Sequence, residues 1–133
     1  MLRDIIIFET LSSYDELISV KEEDVRMDVK VEILKRKLVV ICRGVYGDDL
    51  LNMAKAIYDG GLRCIEVTFD QSDAQGVEKA SKAIEQLNGV CGGELLVGAG
   101  TVLNAEQVVA AMNAGATYII SPNVDDDVIR LTK

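Results

Sequence analysis

Glu66 is the residue in this chain around which chemistry is most readily built. It interrupts the apolar run Cys64-Ile65-Glu66-Val67-Thr68, a stretch of strand length, so alternation turns its carboxyl group inward on one side of a buried strand. A carboxylate buried without a partner is costly, which leaves two readings. One is a site carboxylate; the other is a structural glutamate paired with Arg43, at the end of the preceding apolar run. Thr68 closes the same run as Glu66. A third run ends in Gly98-Ala99-Gly100-Thr101 and a fourth in Ser121-Pro122-Asn123. The Gly-Ala-Gly-Thr segment lacks the third glycine of a dinucleotide fingerprint and the lysine of a P-loop, which argues against nucleotide binding. It does bring backbone close to a ligand and offers the Thr101 hydroxyl. Pro122, the only proline, sets the exit from its strand, either as a simple terminator or as part of a site.

Composition excludes other chemistries. With no histidine there is no Ser-His-Asp or Cys-His relay, no zincin motif and no His-containing zinc site. Cys42, Cys64 and Cys91 are odd in number and widely spaced, without a C-x-x-C pair, as expected for reduced thiols in a cytoplasmic protein. A net charge of −8 argues against a nucleic-acid surface. No apolar run has the length of a membrane helix, and no basic segment followed by an apolar core marks a secretory signal.

The elements that must hold these residues repeat along the chain from Met27 onward. Val29 to Leu34 is a short amphipathic turn with Val29, Ile33 and Leu34 on one face. Leu38 to Cys42 is a continuous apolar run of the kind buried on both faces. Asp48 or Asp49 caps a helix carrying Leu50, Leu51, Ala54, Ile57 and Tyr58, and Gly60-Gly61 stops it. Cys64–Thr68 restarts the cycle, followed by a helix from about Ala74 to Leu87. Gly92-Gly93 leads into Leu95–Gly98. Asn104 then caps a helix, with Gln107 at the capping-box position, and Gly115 ends it. Tyr118–Ser121 is the fourth strand, and a fourth helix begins at Asp125. Strands alternating with helices indicate βαβ units and a parallel α/β sheet. The repeat extends to detail, since Ala56…Gly61-x-x-x-Ile65 aligns with Ala110…Gly115-x-x-x-Ile119. Four such units are half of a TIM (β/α)8 barrel.

Residues 1–26 stand apart. They hold seven acidic and three basic side chains of the chain's 22 and 14, and end in Glu22-Glu23-Asp24. A solvated N-terminal appendage is one reading. The other is that Met27 is the natural start, because Lys21–Asp24 can be encoded by a purine-rich stretch like a ribosome-binding site.

Four motifs in order and spacing carry a resemblance over residues 27–133. They are Val39-Val40-Ile41-x-Arg43-Gly44, Gly60-Gly61-Leu62-x-x-Ile65-Glu66-Val67-Thr68, Leu96-Val97-Gly98-Ala99-Gly100-Thr101-Val102-Leu103 and Gly115-Ala116-x-x-Ile119-Ile120-Ser121-Pro122. Together they resemble the first four strands of the 2-keto-3-deoxy-6-phosphogluconate (KDPG) and 4-hydroxy-2-oxoglutarate (KHG) aldolases. The resemblance implies a class I aldolase on a TIM barrel, homotrimeric and needing no metal or cofactor. In such an enzyme a lysine forms a Schiff base with the pyruvyl part of a small keto acid substrate. It also implies that Glu66 moves protons, and that Thr101 and Pro122 line the pyruvate pocket together with Thr68. Arg43 would grip the carboxylate. Asp70 stands where many members carry that arginine. Phosphogalactonate aldolases share the Gly-Ala-Gly-Thr block and the Pro-Asn pair, and are an alternative. The family's Lys-Phe-Phe-Pro-like motif is absent, so the chain is expected to be an inactive N-terminal half that self-associates. Two rivals are a non-catalytic half-barrel that binds a carboxylate ligand or partner, and a metal site using Glu66 and Asp70.

Overall fold

Four of the apolar runs form strands of one parallel sheet in the computed structural model, which describes residues 28–91 and 93–133. The order along the chain is α1 (Val29–Arg36), β1 (Val40–Cys42), α2 (Gly47–Asp59), β2 (Cys64–Thr68) and α3 (Gly76–Cys91). It continues with β3 (Leu96–Gly100), α4 (Ala105–Asn113), β4 (Tyr118–Ile120) and α5 (Asp126–Thr132). The strands lie side by side as β1-β2-β3-β4, all parallel, so each neighbouring pair is joined by one crossover helix. This is the expected four-unit, half-barrel α/β arrangement. The readings on residues 1–26 fall outside the described residues, as does Gly92.

Alternation along the strands separates two apolar clusters. Cys42, Ile65, Val67, Val97, Ala99 and Ile119 face the crossover helices, meeting Leu50 and Ala54 of α2, Ile84 and Leu87 of α3, and Val108 of α4. Cys64, Leu96 and Tyr118 face the other way, where Val29 and Ile33 of α1 cover them among the described residues, with Val39 and Ile120 packed alongside. Helix α1 thus seals the N-terminal end of the inner face. Asp28 caps it by accepting from the Val31 amide at 3.1 Å.

The internal repeat is physical as well as textual. At the end of α2, Leu62 N donates to Ile57 O (3.1 Å) and Gly61 N to Tyr58 O (2.9 Å), with Gly61 at φ +86°. At the end of α4, Ala116 N donates to Ala111 O and Gly115 N to Met112 O, both at 2.9 Å, with Gly115 at φ +84°. Each is a Schellman ending, in which glycine takes the left-handed position and the chain turns straight into the next strand.

Several sequence expectations need correction. β1 begins at Val40, two residues later than expected, and is not buried on both faces. As an edge strand it leaves Ile41 of the inner face 58% exposed, and Leu38 before it is equally open. Leu34 of the first amphipathic turn is exposed while Val29 and Ile33 are buried, because the helix presents a narrower stripe than the spacing suggested. Neither Asp48 nor Asp49 caps α2. Tyr46 occupies the cap without a side-chain bond, and the two aspartates sit in the first turn, where the helix dipole favours them. Helix α3 runs from Gly76 to Cys91, beyond the expected end at Leu87. β3 extends through Gly100, and β4 ends one residue early. No helix among the described residues is long and apolar enough to cross a membrane.

With β1 and β4 as the edges of an open parallel sheet among the described residues, and with Leu38 and Ile41 exposed at the β1 edge, the 133-residue chain on its own is expected to self-associate. Light scattering is the check. A stable monomer that melts cooperatively and binds no hydrophobic dye would contradict this expectation.

Candidate active site

The register places Ile41, Glu66, Gly98 and Tyr118 in one row across the inner face. The two large polar members of that row are accommodated by glycines in β3. A Cβ built on Gly98 would fall on the Tyr118 ring, and one built on Gly100 would fall on the Glu66 carboxyl group. The Tyr118 side chain leans over β3 toward β2, where its hydroxyl donates to Ile65 O at 2.7 Å. Glu66 leans the opposite way, from β2 over Gly100. The Gly-Ala-Gly segment therefore makes room for protein side chains, a role the sequence reading had given to a ligand. Ala99, between the glycines, points to the helix side and is fully buried.

Glu66 is 4% exposed and makes no hydrogen bond or ion pair with any described residue, so the structural pairing with Arg43 does not form. Burial raises its pKa above the ordinary carboxylate value, and the positive charge of Arg43 partly offsets this from a distance. The same burial raises the Tyr118 hydroxyl far above its usual range, and pushes the Cys42 thiol up to about 11 with the Glu66 charge adding to it. A carboxyl group with raised proton affinity, unpaired and beside the strand ends, suits proton transfer.

Arg43 follows β1 and is exposed, its guanidinium free of ion pairs among the described residues. Thr68 is buried, and its hydroxyl reaches the Cys42 carbonyl of β1 at 3.4 Å, so it ties two strands together. Thr101 follows β3 and has φ +56°, a left-handed backbone that is strained for a β-branched residue by about 1–3 kcal/mol. Its hydroxyl has no hydrogen-bond partner among the described residues. Pro122 is exposed after β4, beside a turn in which Ser121 Oγ donates to Asn123 at 2.8 Å. Glu66, Thr68 and Thr101 thus gather at the C-terminal ends of β2 and β3, with Arg43 and Pro122 on the flanking loops. Parallel α/β folds concentrate function at that end of the sheet.

Asp70 is not part of this group. Its Oδ1 accepts from Ser72 N (2.9 Å) and Ser72 Oγ (2.7 Å), which lowers its pKa and folds the loop after β2. The rival metal site on Glu66 and Asp70 has no geometric support, since Asp70 is exposed and turned into its own loop. No three His, Cys, Asp or Glu side chains converge among the described residues.

Tyr118 and Gln71 were not singled out from the sequence. For Tyr118 the available signal was a pair of glycines two apart within a strand, which marks the close approach of a neighbouring side chain. Gln107 stands at the capping-box position of α4. It does serve that end, with Asn104 Oδ1 accepting from its amide at 2.9 Å, but its side chain reaches further.

Residues 29–133 match the family model described as "KDPG and KHG aldolase". The chain is 38% identical over 82 residues to a 2-dehydro-3-deoxy-phosphogluconate aldolase of Treponema pallidum, covering 62% of this chain and 36% of that protein. It is 32% identical over 96 residues to a 2-dehydro-3-deoxy-6-phosphogalactonate aldolase of Escherichia coli, covering 72% and 44%. Among solved structures, a KDPG aldolase from Legionella pneumophila, with pyruvate captured at low pH as a covalent carbinolamine intermediate, superposes with a TM-score of 0.57. That match is at 26% identity and covers 70% of this chain and 42% of that one. The chain spans less than half the length of these relatives.

The raised pKa of Glu66 has a stability consequence. The folded state holds this proton more tightly than the unfolded state, so the contribution of Glu66 to stability is greatest at low pH. It falls as pH rises from about 4.5, the ordinary glutamate value, through the raised folded pKa. Glu66→Gln is expected to remove that fall and to stabilise the chain at neutral pH by on the order of 1 kcal/mol. Denaturant melts across pH check it; a variant no more stable than the parent at pH 7 would refute the unpaired burial.

Proposed function

Since the chain belongs to the KDPG and KHG aldolase family, we propose that the ends of β2 and β3 form the pyruvate-handling part of a class I aldolase site. The reaction is cleavage of a 2-keto-3-deoxy-6-phospho sugar acid, or of 4-hydroxy-2-oxoglutarate, to pyruvate and an aldehyde. The observation that carries this reading is Glu66, a buried carboxyl group with raised proton affinity and no ion-pair partner among the described residues. With the keto carbon held as an iminium by a lysine, a base takes the proton from the C4 hydroxyl and the C3–C4 bond breaks. The electron pair passes into the iminium to give an enamine, a proton returned to C3 gives the pyruvate iminium, and water then hydrolyses the C=N bond to release pyruvate and the free lysine. Glu66 is assigned both proton transfers. Arg43 is assigned the keto acid carboxylate, and Thr68, Thr101 and Pro122 the walls of the pocket. The carbinolamine with pyruvate in the Legionella pneumophila relative supports the covalent chemistry.

The lysine nucleophile is not among the described residues. Lys79 lies near the start of α3, the end of the helix that follows the β2 exit loop. Its Nζ is hydrogen-bonded to Asp73 at 2.5 Å, which raises its pKa and keeps it protonated. A Schiff-base lysine needs the opposite shift. A phosphogalactonate substrate is the second reading, supported by the similarity to the Escherichia coli enzyme and by Pro122-Asn123.

Incubation of the chain with pyruvate and borohydride is therefore expected to leave no lysine adduct, and mass spectrometry finding stoichiometric trapping at one lysine would overturn that assignment. The role of Glu66 is tested in a chimera that joins residues 29–133 to the remaining part of the Escherichia coli relative. There Glu66→Gln should lower kcat roughly 10²–10⁴-fold, whereas Arg43→Ala should mainly raise KM, because its contact exists in ground and transition states alike. Full turnover in the Glu66→Gln chimera would end the proton-transfer assignment.

A further inference from the structure

The strained backbone at Thr101 is held by two glutamines from different parts of the chain. Gln71, in the loop after β2, donates from Nε2 to the Thr101 carbonyl at 2.9 Å and to the Phe69 carbonyl at 3.3 Å. Its Oε1 accepts from Gln107 Nε2 of α4 at 2.8 Å. Gln107 Oε1 in turn accepts from the Leu103 amide at 2.7 Å. The bonds run in one direction, from the Leu103 N–H through both side-chain amides to the Thr101 C=O, so they grip the Thr101–Leu103 segment at both ends. Gln107 is buried, and both the oxygen and the nitrogen of its side-chain amide are hydrogen-bonded, which fixes its orientation.

We propose that Gln71 and Gln107 are positioning residues: their relay holds Thr101 in its left-handed conformation and so presents its unpartnered hydroxyl at the strand ends. Neither glutamine touches the reacting atoms. This rests on the reading above in one respect, that the ligand presented to Thr101 is a keto acid. The relay couples the loop after β2 to the loop after β3, and thereby fixes Thr101 relative to Glu66, which β2 carries. A purely space-filling role would be met by any side chain of the same length. The relay needs a donor at the end of residue 71.

The isotopically labelled 133-residue chain provides the test by NMR, with the one-bond Cα–Hα coupling of residue 101 distinguishing positive from negative φ. Gln71→Met and Gln71→Glu are both expected to lose the positive-φ signature at neutral pH, although glutamate matches glutamine in size. Gln107→Glu keeps the acceptor for Leu103, so that amide stays slow to exchange, whereas Gln107→Met speeds its exchange about tenfold. The double variant Gln71→Met/Thr101→Gly should regain positive φ at residue 101, because glycine needs no clamp there. That rescue also separates loss of the relay from loss of the fold. Retention of positive φ in both Gln71 variants would overturn the proposal. Pyruvate added to the same samples should shift the Thr101 resonances in the parent and not in Gln71→Met. If it shifts them equally in both, the relay does not position the site. If it shifts neither while φ still depends on Gln71, the relay stands and the keto acid reading falls.

Discussion

The inner face of the sheet works only because β3 carries no side chain at two positions. Gly98 and Gly100 leave a strip of bare backbone, and two side chains too large for a flat sheet lie down across it from opposite sides. Tyr118 comes from β4 and bonds to the backbone of β2; Glu66 comes from β2 and rests against β3. A methyl group at Gly98 would overlap the fully buried Tyr118 ring, and one at Gly100 would displace the Glu66 carboxyl group. The strip therefore makes room for both side chains on the inner face and sets the direction in which Glu66 points.

The resulting carboxyl group is thermodynamically uncomfortable. It gives up hydration and receives no ion pair among the described residues, only the distant field of Arg43. Such a group lowers stability where it is ionised, and proteins tolerate this where proton affinity is put to use. Thr101 shows the same pattern in backbone form, with a β-branched residue in a left-handed conformation maintained by bonds from elsewhere. Local cost at the strand ends is offset by the well-packed cluster on the helix side, where Ile65, Val97, Ile84 and Leu87 are fully buried.

Much of this architecture was legible because each βα unit announces itself with its own local signals. The left-handed glycines at 61 and 115, the Asn104 cap and the β-branched runs all act within a few residues, and those elements emerge close to where the sequence places them. Glu66 was legible for the same reason, as a charge within an apolar run. What was not legible depends on partners distant in the chain. The exposure of Ile41 follows from β1 having one neighbour rather than two. The role of the glycine pair depends on Tyr118, whose hydroxyl bond bridges residues 53 positions apart. The Gln71–Gln107 bond spans 36 positions, and no local pattern singles out Gln71. Asp70 is instructive in the opposite sense. Set against the family pattern it looked like a reversed charge in the site, yet it is a turn residue engaged with Ser72.

The Tyr118 bond across β3 also gives the molecule an optical property. The chain contains no tryptophan, so its near-ultraviolet absorption and emission come chiefly from tyrosine. Tyr118 is fully buried, with its hydroxyl committed to a peptide carbonyl and its ring against a glycine backbone beside Glu66. A phenol in that position absorbs at longer wavelength than one in water and senses the charge on the neighbouring carboxyl group. The inner face of this sheet thus carries its own chromophore, placed where a change in the charge of Glu66 would perturb its spectrum without any added label.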